Sequence, residues 1–356
     1  MKSFKVFSML ILFVIVLALP NGGVSAERGL PGSGTIGYGL QISPDGQNAN
    51  LAIQMSANLG VDWLLLELDW AKNAPDASNS CLTNTEHQFL NQSLNNQYGV
   101  IISLTHPPSW AMTQDGPSVD AVNGILREIT QKYPEINFAF ELFPAPNFQA
   151  GWGAPPSPAA YAGLFSKVQE ANPGQLLIVG GLMPVKNTLL PGQYSDLDFL
   201  QGLYQYGLKD KMPIIGTLAN QLSGQPLDAP GANNFSILRR YEEIRQVMLR
   251  NQHDAGLIWI TRLTAPYGLN LDEQNAWLNS AYPQIRSQLY IGAVIYQSAN
   301  SRENSSMNPL AGSLILDNNS YHPFYASLRE LIAFNAPDDI LLKRGRSKGL
   351  DLAKNR

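Results

Sequence analysis

The chain holds one cysteine, Cys81, in 356 residues, so no internal disulfide can form and a disulfide-stapled scaffold is excluded. Histidine is scarce as well. The four at positions 87, 106, 253 and 322 form no close pair in sequence, and neither a metal site nor a cofactor is expected. Basic charge is not in excess: 24 Lys and Arg stand against 28 Asp and Glu, a net charge of -4. A nucleic-acid partner, which would require a basic face, is therefore not expected. Two motifs are also missing. No G-x-S-x-G elbow presents a serine nucleophile. No G-x-G-x-x-G turn follows the first strand-like run, so an open doubly wound sheet with a dinucleotide site lacks its fingerprint.

What is present begins at the N-terminus. Lys2 and Lys5 precede a largely apolar run from Val6 to Leu19, and "NGGVSAE" follows with small residues at Val24 and Ala26. This pattern predicts a secretory signal peptide over 1–26, and hence a secreted or extracytoplasmic protein. The run falls short of the about 20 residues a spanning helix needs, and no later run reaches that length. The mature chain is expected to carry no transmembrane segment. Residues 27–337 read as one domain, and 338–356, with "KRGRSKGLDLAKNR", as a basic solvated tail.

Within the domain, strand-like and helix-like runs alternate. Eight strand candidates start at Thr35, Trp63, Val100, Asn137, Leu176, Met212, Leu257 and Tyr290. Several are continuous apolar runs, as expected when both faces of a parallel sheet are covered. Between them lie amphipathic stretches such as "SVDAVNGILREITQKY", "SPAAYAGLFSKVQEA" and "FSILRRYEEIRQVMLRN". In the second, Ser157 is placed to cap a helix that starts at Pro158. Eight such units in about 300 residues predict an α/β fold, a single (β/α)8 TIM barrel.

In a barrel, function collects at the carboxyl ends of the strands. The second strand ends in Glu67, Asp69 and Trp70, and the third in His106 and Trp110. The fourth carries Glu141 and runs on to Ala145, Asn147 and Trp152. The seventh gives Arg262 and the eighth Tyr296 and Gln297. Rings and amides suit a sugar, whose C–H faces stack on aromatics while its hydroxyls need donors and acceptors. Trp63 and Trp259, inside strands, read as core.

The chain resembles the clan of (β/α)8 retaining glycoside hydrolases that carry an acid/base Glu after strand four and a nucleophile Glu on strand seven. The likeness rests on "FELFPAPNFQAGWGAPPSPAAYAGLFSKV", which keeps the spacing of a "YEIWNEPN" strand end, an aromatic loop and a P-x-x-Y helix start. It rests also on "GLIWITRLTAP", set against a "PLWITEFGW" strand, and it covers nearly the whole mature chain. Residue by residue, the resemblance puts the family's Asn-Glu pair on Pro144 and Ala145 and its nucleophile on Arg262. Both catalytic carboxylates are absent.

Retaining hydrolysis needs two carboxyl groups roughly 5–5.5 Å apart. Alanine offers no proton, and a guanidinium offers no lone pair and repels a developing oxocarbenium ion. The expectation is a catalytically inactive, glycoside-hydrolase-like barrel that binds an oligosaccharide or polysaccharide. The candidate contacts are Trp70, His106, Trp110, Asn147, Trp152, Arg262, Tyr296 and Gln297, with Arg262 facing an acidic sugar or pairing with Glu141. Two other readings stand beside it: a structural or protein-interaction module, and an active glycosidase using relocated carboxylates drawn from Glu67, Asp69 and Glu141.

Overall fold

The structure is a computed structural model that describes residues 36–46, 48–185, 190–220, 222–230, 237–300, 313–316 and 319–335. The expected signal peptide and basic tail lie outside the described residues. All eight strand candidates form strands: β1 (Gly37–Gln41), β2 (Trp63–Asp69), β3 (Gly99–Thr105), β4 (Phe138–Leu142), β5 (Leu176–Leu182), β6 (Ile214–Ala219), β7 (Leu257–Leu263) and β8 (Ile291–Tyr296). Each pairs in parallel with its chain neighbours, and β1 closes the ring on β8. The fold is a single (β/α)8 TIM barrel.

The mantle consists of α1 (Ala49–Leu59), α2 (Asn84–Asn95), α3 (Val119–Lys132), α4 (Pro158–Ala171), α5 (Asp196–Gln205), α6 (Arg240–Arg250), α7 (Leu271–Arg286) and α8 (Phe324–Asn335). Local chemistry explains several of their starts. Ser157 accepts a hydrogen bond from Ala160 N at 3.2 Å, and Pro158, whose missing N–H costs nothing there, opens α4. Thr83 and Glu86 cap α2 reciprocally, as Asn270 and Glu273 cap α7. In the third amphipathic run, the described residues Ile237, Leu238 and Arg239 precede the helix, which begins at Arg240. No helix of the described residues is long and apolar enough to cross a membrane.

Strand alternation divides the apolar side chains into two sets. One set faces outward and packs under the helices. The other fills the lumen, with Trp63, Leu65, Ile101, Ile178, Trp259 and Ile295 at its centre. The Trp63 and Trp259 rings meet at 5.2 Å between centroids. Room for them comes from β1, whose first two inward positions are the glycines Gly37 and Gly39. A methyl group at Gly39 would stand 2.3 Å from Ile295 Cδ1 and 3.1 Å from Trp63 Cβ. Each such side chain removed from water contributes about 1.5–3 kcal/mol, so this plug holds the barrel closed from within. Above it, toward the carboxyl ends of the strands, the lumen turns polar.

Candidate functional site

A row of polar side chains lies across three adjacent strands. Glu67 on β2 is in register with Ser103 on β3, which is in register with Glu141 on β4. Residues directly opposite one another on paired strands share a face, so all three point into the lumen. Within "VIISLT", Ser103 and Thr105 are the polar residues, two apart and so on one face of an otherwise apolar run, a signal present in the sequence.

Opposite the row, β7 is bulged. Ile260 pairs with Thr217 on β6, and the next pairing joins Arg262 to Leu218, leaving Thr261 without a partner. An inserted residue of this kind re-aims side chains. Here it lets Thr261 and Arg262, neighbours that would otherwise face opposite ways, both reach Glu141. Thr261 Oγ1 donates to Glu141 Oε1 at 2.6 Å, and Arg262 Nη1 donates to Oε2 at 2.9 Å.

The Glu141 carboxylate also accepts from Gly181 N at 3.0 Å and from Ser103 Oγ at 2.5 Å. It is fully buried. Two oxygens with four donors are saturated, and a guanidinium compensates the charge. Glycine at 181 permits the close approach, since a methyl group there would lie 2.8 Å from Thr261 Oγ1. Arg262, 3% exposed, is equally committed: Nη2 donates to Ser103 Oγ at 2.8 Å and Nη1 to the Thr261 carbonyl at 3.1 Å. Its guanidinium also lies 3.7 Å from Glu67. Gln41 Nε2 donates to that carboxylate at 3.1 Å.

Over this network opens a pocket of about 190 Å³, lined by Glu67, Thr105, His106, Asn220, Arg262 and Gln297 together with Pro144, Gly151 and Leu218. The pocket thus unites Glu67, His106, Arg262 and Gln297 of the residues singled out in the sequence. Asn220 and Gln297 each have a buried amide oxygen with no hydrogen-bond partner. His106 Nδ1 sits 3.1 Å from Asp69 Oδ2, and Asp69 also caps the short helical turn Trp70–Asn73 through Lys72 N.

Other candidates lie elsewhere. Trp70 is fully buried and meets Trp110 edge-on at 5.5 Å, while the partly exposed Trp110 donates from Nε1 to Ala74 O. Trp152 is buried against Phe143 and Tyr161, with Nε1 donating to Asp115 O at 3.2 Å. Tyr296 is buried and stacks on Phe324; burial pushes its phenol well above the ordinary range. Asn147 is a staple. Its amide donates to Met183 O at 2.9 Å and Tyr194 O at 3.0 Å, and its Oδ1 accepts from Met183 N at 3.0 Å. None of these five lines the pocket.

The segment after β4 is strained. Phe143 and Ala145 have φ of 58° and 56°, and His106, across the pocket, has φ of 48°. Left-handed backbone at non-glycine residues costs of order 1–3 kcal/mol each, so tertiary bonds must impose it. For Ala145 these are N–H donation to Gly181 O at 2.7 Å and acceptance from Phe148 N at 2.9 Å. Among the described residues, no group of three His, Cys, Asp or Glu is placed to hold a metal ion.

No protein-family model matches the chain, and no curated protein matches it. Solved structures do. A family 39 glycoside hydrolase from Bacteroides cellulosilyticus WH2 superposes with a TM-score of 0.61 at 16% identity, over 86% of this chain and 64% of that one. Xylanase 10B from Thermotoga petrophila RKU-1, solved with xylobiose, gives 0.58 at 13% identity, over 86% and 95%. A GH128 (subgroup II) endo-beta-1,3-glucanase from Sorangium cellulosum gives 0.54 at 15% identity, over 83% and 98%. The chain therefore spans under two thirds of the first of these proteins and nearly all of the other two. At such identities the likeness is one of fold: a (β/α)8 barrel of the kind glycoside hydrolases use.

Proposed function

We propose that this protein is an exported, non-hydrolytic glycoside-hydrolase-like barrel that binds carbohydrate in the pocket above Glu141. The observation that carries the reading is the Glu141–Arg262 pair. Where the resemblance calls for a nucleophilic carboxylate stands a buried guanidinium that donates to Glu141 and Ser103. A glycosyl cation forming over it would meet positive charge and no lone pair. The Ala145 methyl supplies no proton to a leaving oxygen.

Binding needs neither group. The pocket is small and polar, and Asn220 and Gln297 line it with buried amide oxygens that have no partner and that a rotation of the side chain would turn toward a ligand. Such groups fit the hydroxyls of a sugar ring. Arg262 is spent on Glu141 and Ser103, so a neutral sugar suits the pocket better than an acidic one. The buried Trp70, Trp152 and Tyr296 support the rim from behind, and any stacking they offer a ligand needs the rim to open.

The test is equilibrium dialysis of the chain from Glu27 to Arg356 against a panel of neutral and acidic oligosaccharides, read by mass spectrometry. Enrichment of intact neutral sugars, reduced at least ten-fold by Gln297→Ala with Asn220→Ala, is the expected result. Shortened products would instead assign hydrolysis to Glu67 or Asp69. No enrichment and no products would leave a structural or protein-binding role. Export is checked separately, by N-terminal sequencing of the expressed protein for a start at Glu27.

A further inference from the structure

A second surface has the makings of a carbohydrate site, far from the strand-end pocket in its construction. On the outer wall of the barrel, α1 and α2 border two adjoining open hollows of about 510 and 580 Å³ that share Asn50, Ile53 and Gln92. Together they form one groove.

Its walls are amide ladders. Side chains four apart on a helix share a face. On α1, Asn50, Gln54 and Asn58 follow at this interval, and all three line the groove. On α2 and its C-cap, Gln88, Gln92 and Asn96 do the same. At 1.5 Å rise per residue, successive amides stand about 6 Å apart along each wall. Gln92 Nε2 donates to Asn50 Oδ1 at 3.0 Å, so the two ladders come within reach of each other. The buried Phe89 and Ile53 also line the groove and give it apolar surface.

Formal charge is absent from the described residues that line it. Helix α1 contains no Asp, Glu, Lys or Arg. The ionisable side chains of α2 turn elsewhere: Glu86 accepts from Thr83 N in the capping box, and His87 Nδ1 meets Tyr133 Oη at 2.8 Å. Lack of charge is local, because α6 carries five charged residues in its eleven. Exposed helix faces ordinarily carry charges of both signs, which keep a surface soluble. Two neighbouring helices that present amides instead point to a ligand.

The amides select its chemistry. A carboxylate only accepts and an ammonium only donates, whereas an amide does both, as a hydroxyl does. A row of amides is therefore complementary to a row of hydroxyls, and an uncharged wall favours no ionic ligand. Protein partners dock chiefly on exposed aromatic, methionine and arginine anchors. Of the lining residues only Phe89 is of that kind, and it is 2% exposed.

We propose that the groove between α1 and α2 binds a neutral polysaccharide chain lengthwise, independently of the strand-end pocket. The test is retention of the full chain on microcrystalline cellulose, insoluble xylan and insoluble β-1,3-glucan, with a polygalacturonate gel as the anionic control. The native protein is expected on at least one neutral polymer, with retention insensitive to salt, and not on the anionic gel. Gln54→Glu with Gln92→Glu, which keeps shape but introduces charge, should cut retention at least ten-fold without lowering the melting temperature by more than a few degrees. Retention should persist in Gln297→Ala with Asn220→Ala, where the pocket is disabled, and adding the groove substitutions to that background should again cut it at least ten-fold. The proposal is overturned if the native protein is retained on no neutral polymer, if the groove variant is retained as well as the native protein, or if the pocket variant alone loses retention.

Discussion

Among the described residues two arginine–carboxylate pairs are buried, one in the lumen and one in the mantle, and their surroundings differ. In the mantle, Arg240 on α6 grips Asp196, the first residue of α5, with Nε at 2.9 Å and Nη2 at 2.8 Å. The fork is bidentate, the anion sits where a helix N-terminus favours it, and Glu243 takes the remaining Nη1. Two helices are thereby clamped together. In the lumen, Arg262 reaches Glu141 with Nη1 alone, which also donates to the Thr261 carbonyl, and gives Nη2 to Ser103, directly beneath a pocket. The same chemistry fastens the scaffold in one place and floors a strand-end pocket in the other.

The sharpest way to break this comparison is to remove one partner at a time. Glu141→Ala, Arg262→Ala, Asp196→Ala and Arg240→Ala should each lower the free energy of unfolding by about 3–5 kcal/mol in urea melts, because each strands a buried charge. Glu141→Leu with Arg262→Met should recover most of that loss, since both charges then disappear. Equal stability of the single and double lumen variants would mean that the pair is not what holds Glu141.

A smaller effect separates rim from pocket. Asn147→Ala deletes three hydrogen bonds that join the segment after β4 to Met183 and Tyr194, at about 1 kcal/mol each. It should cost about 2–3 kcal/mol in the same melts while leaving sugar binding in the dialysis assay within about three-fold, since a loss confined to stability marks a staple. A loss of affinity alone would return Asn147 to the binding surface.

The smallest effect is on pH. His253, buried between α5 and α6 with Nδ1 2.8 Å from Tyr204 Oη, is held below the ordinary imidazole range by burial and by the charges of Lys209 and Arg245. His322 is lowered by burial alone. A depressed folded-state pKa means that the unfolded chain binds the proton more readily. The stability contributed is present above about pH 6.5 and is lost as pH falls through the lower folded value. The melting temperature should therefore drop between pH 7 and pH 5, and His253→Gln should flatten part of that slope. An unchanged slope would show that the mantle near Tyr204 does not sense protonation.

The sequence alone determined the barrel. Eight apolar strands alternating with amphipathic helices leave few ways to cover both sheet faces, and Ser157 with Pro158 marked a helix start to the residue. It also raised the expectation, through the resemblance, that Ala145 and Arg262 stand where a retaining glycoside hydrolase carries its two carboxylates. Tertiary structure decided which residues meet. The bulge at Thr261 is invisible in "WITRL" because strand register is set by the neighbours β6 and β8, and it is this bulge that brings Thr261 and Arg262 together on Glu141. The burial of Trp70, Trp152 and Tyr296 was likewise settled by packing: a ring just past a strand end can line a cleft or seal the core, and the surrounding helices and loops fix which.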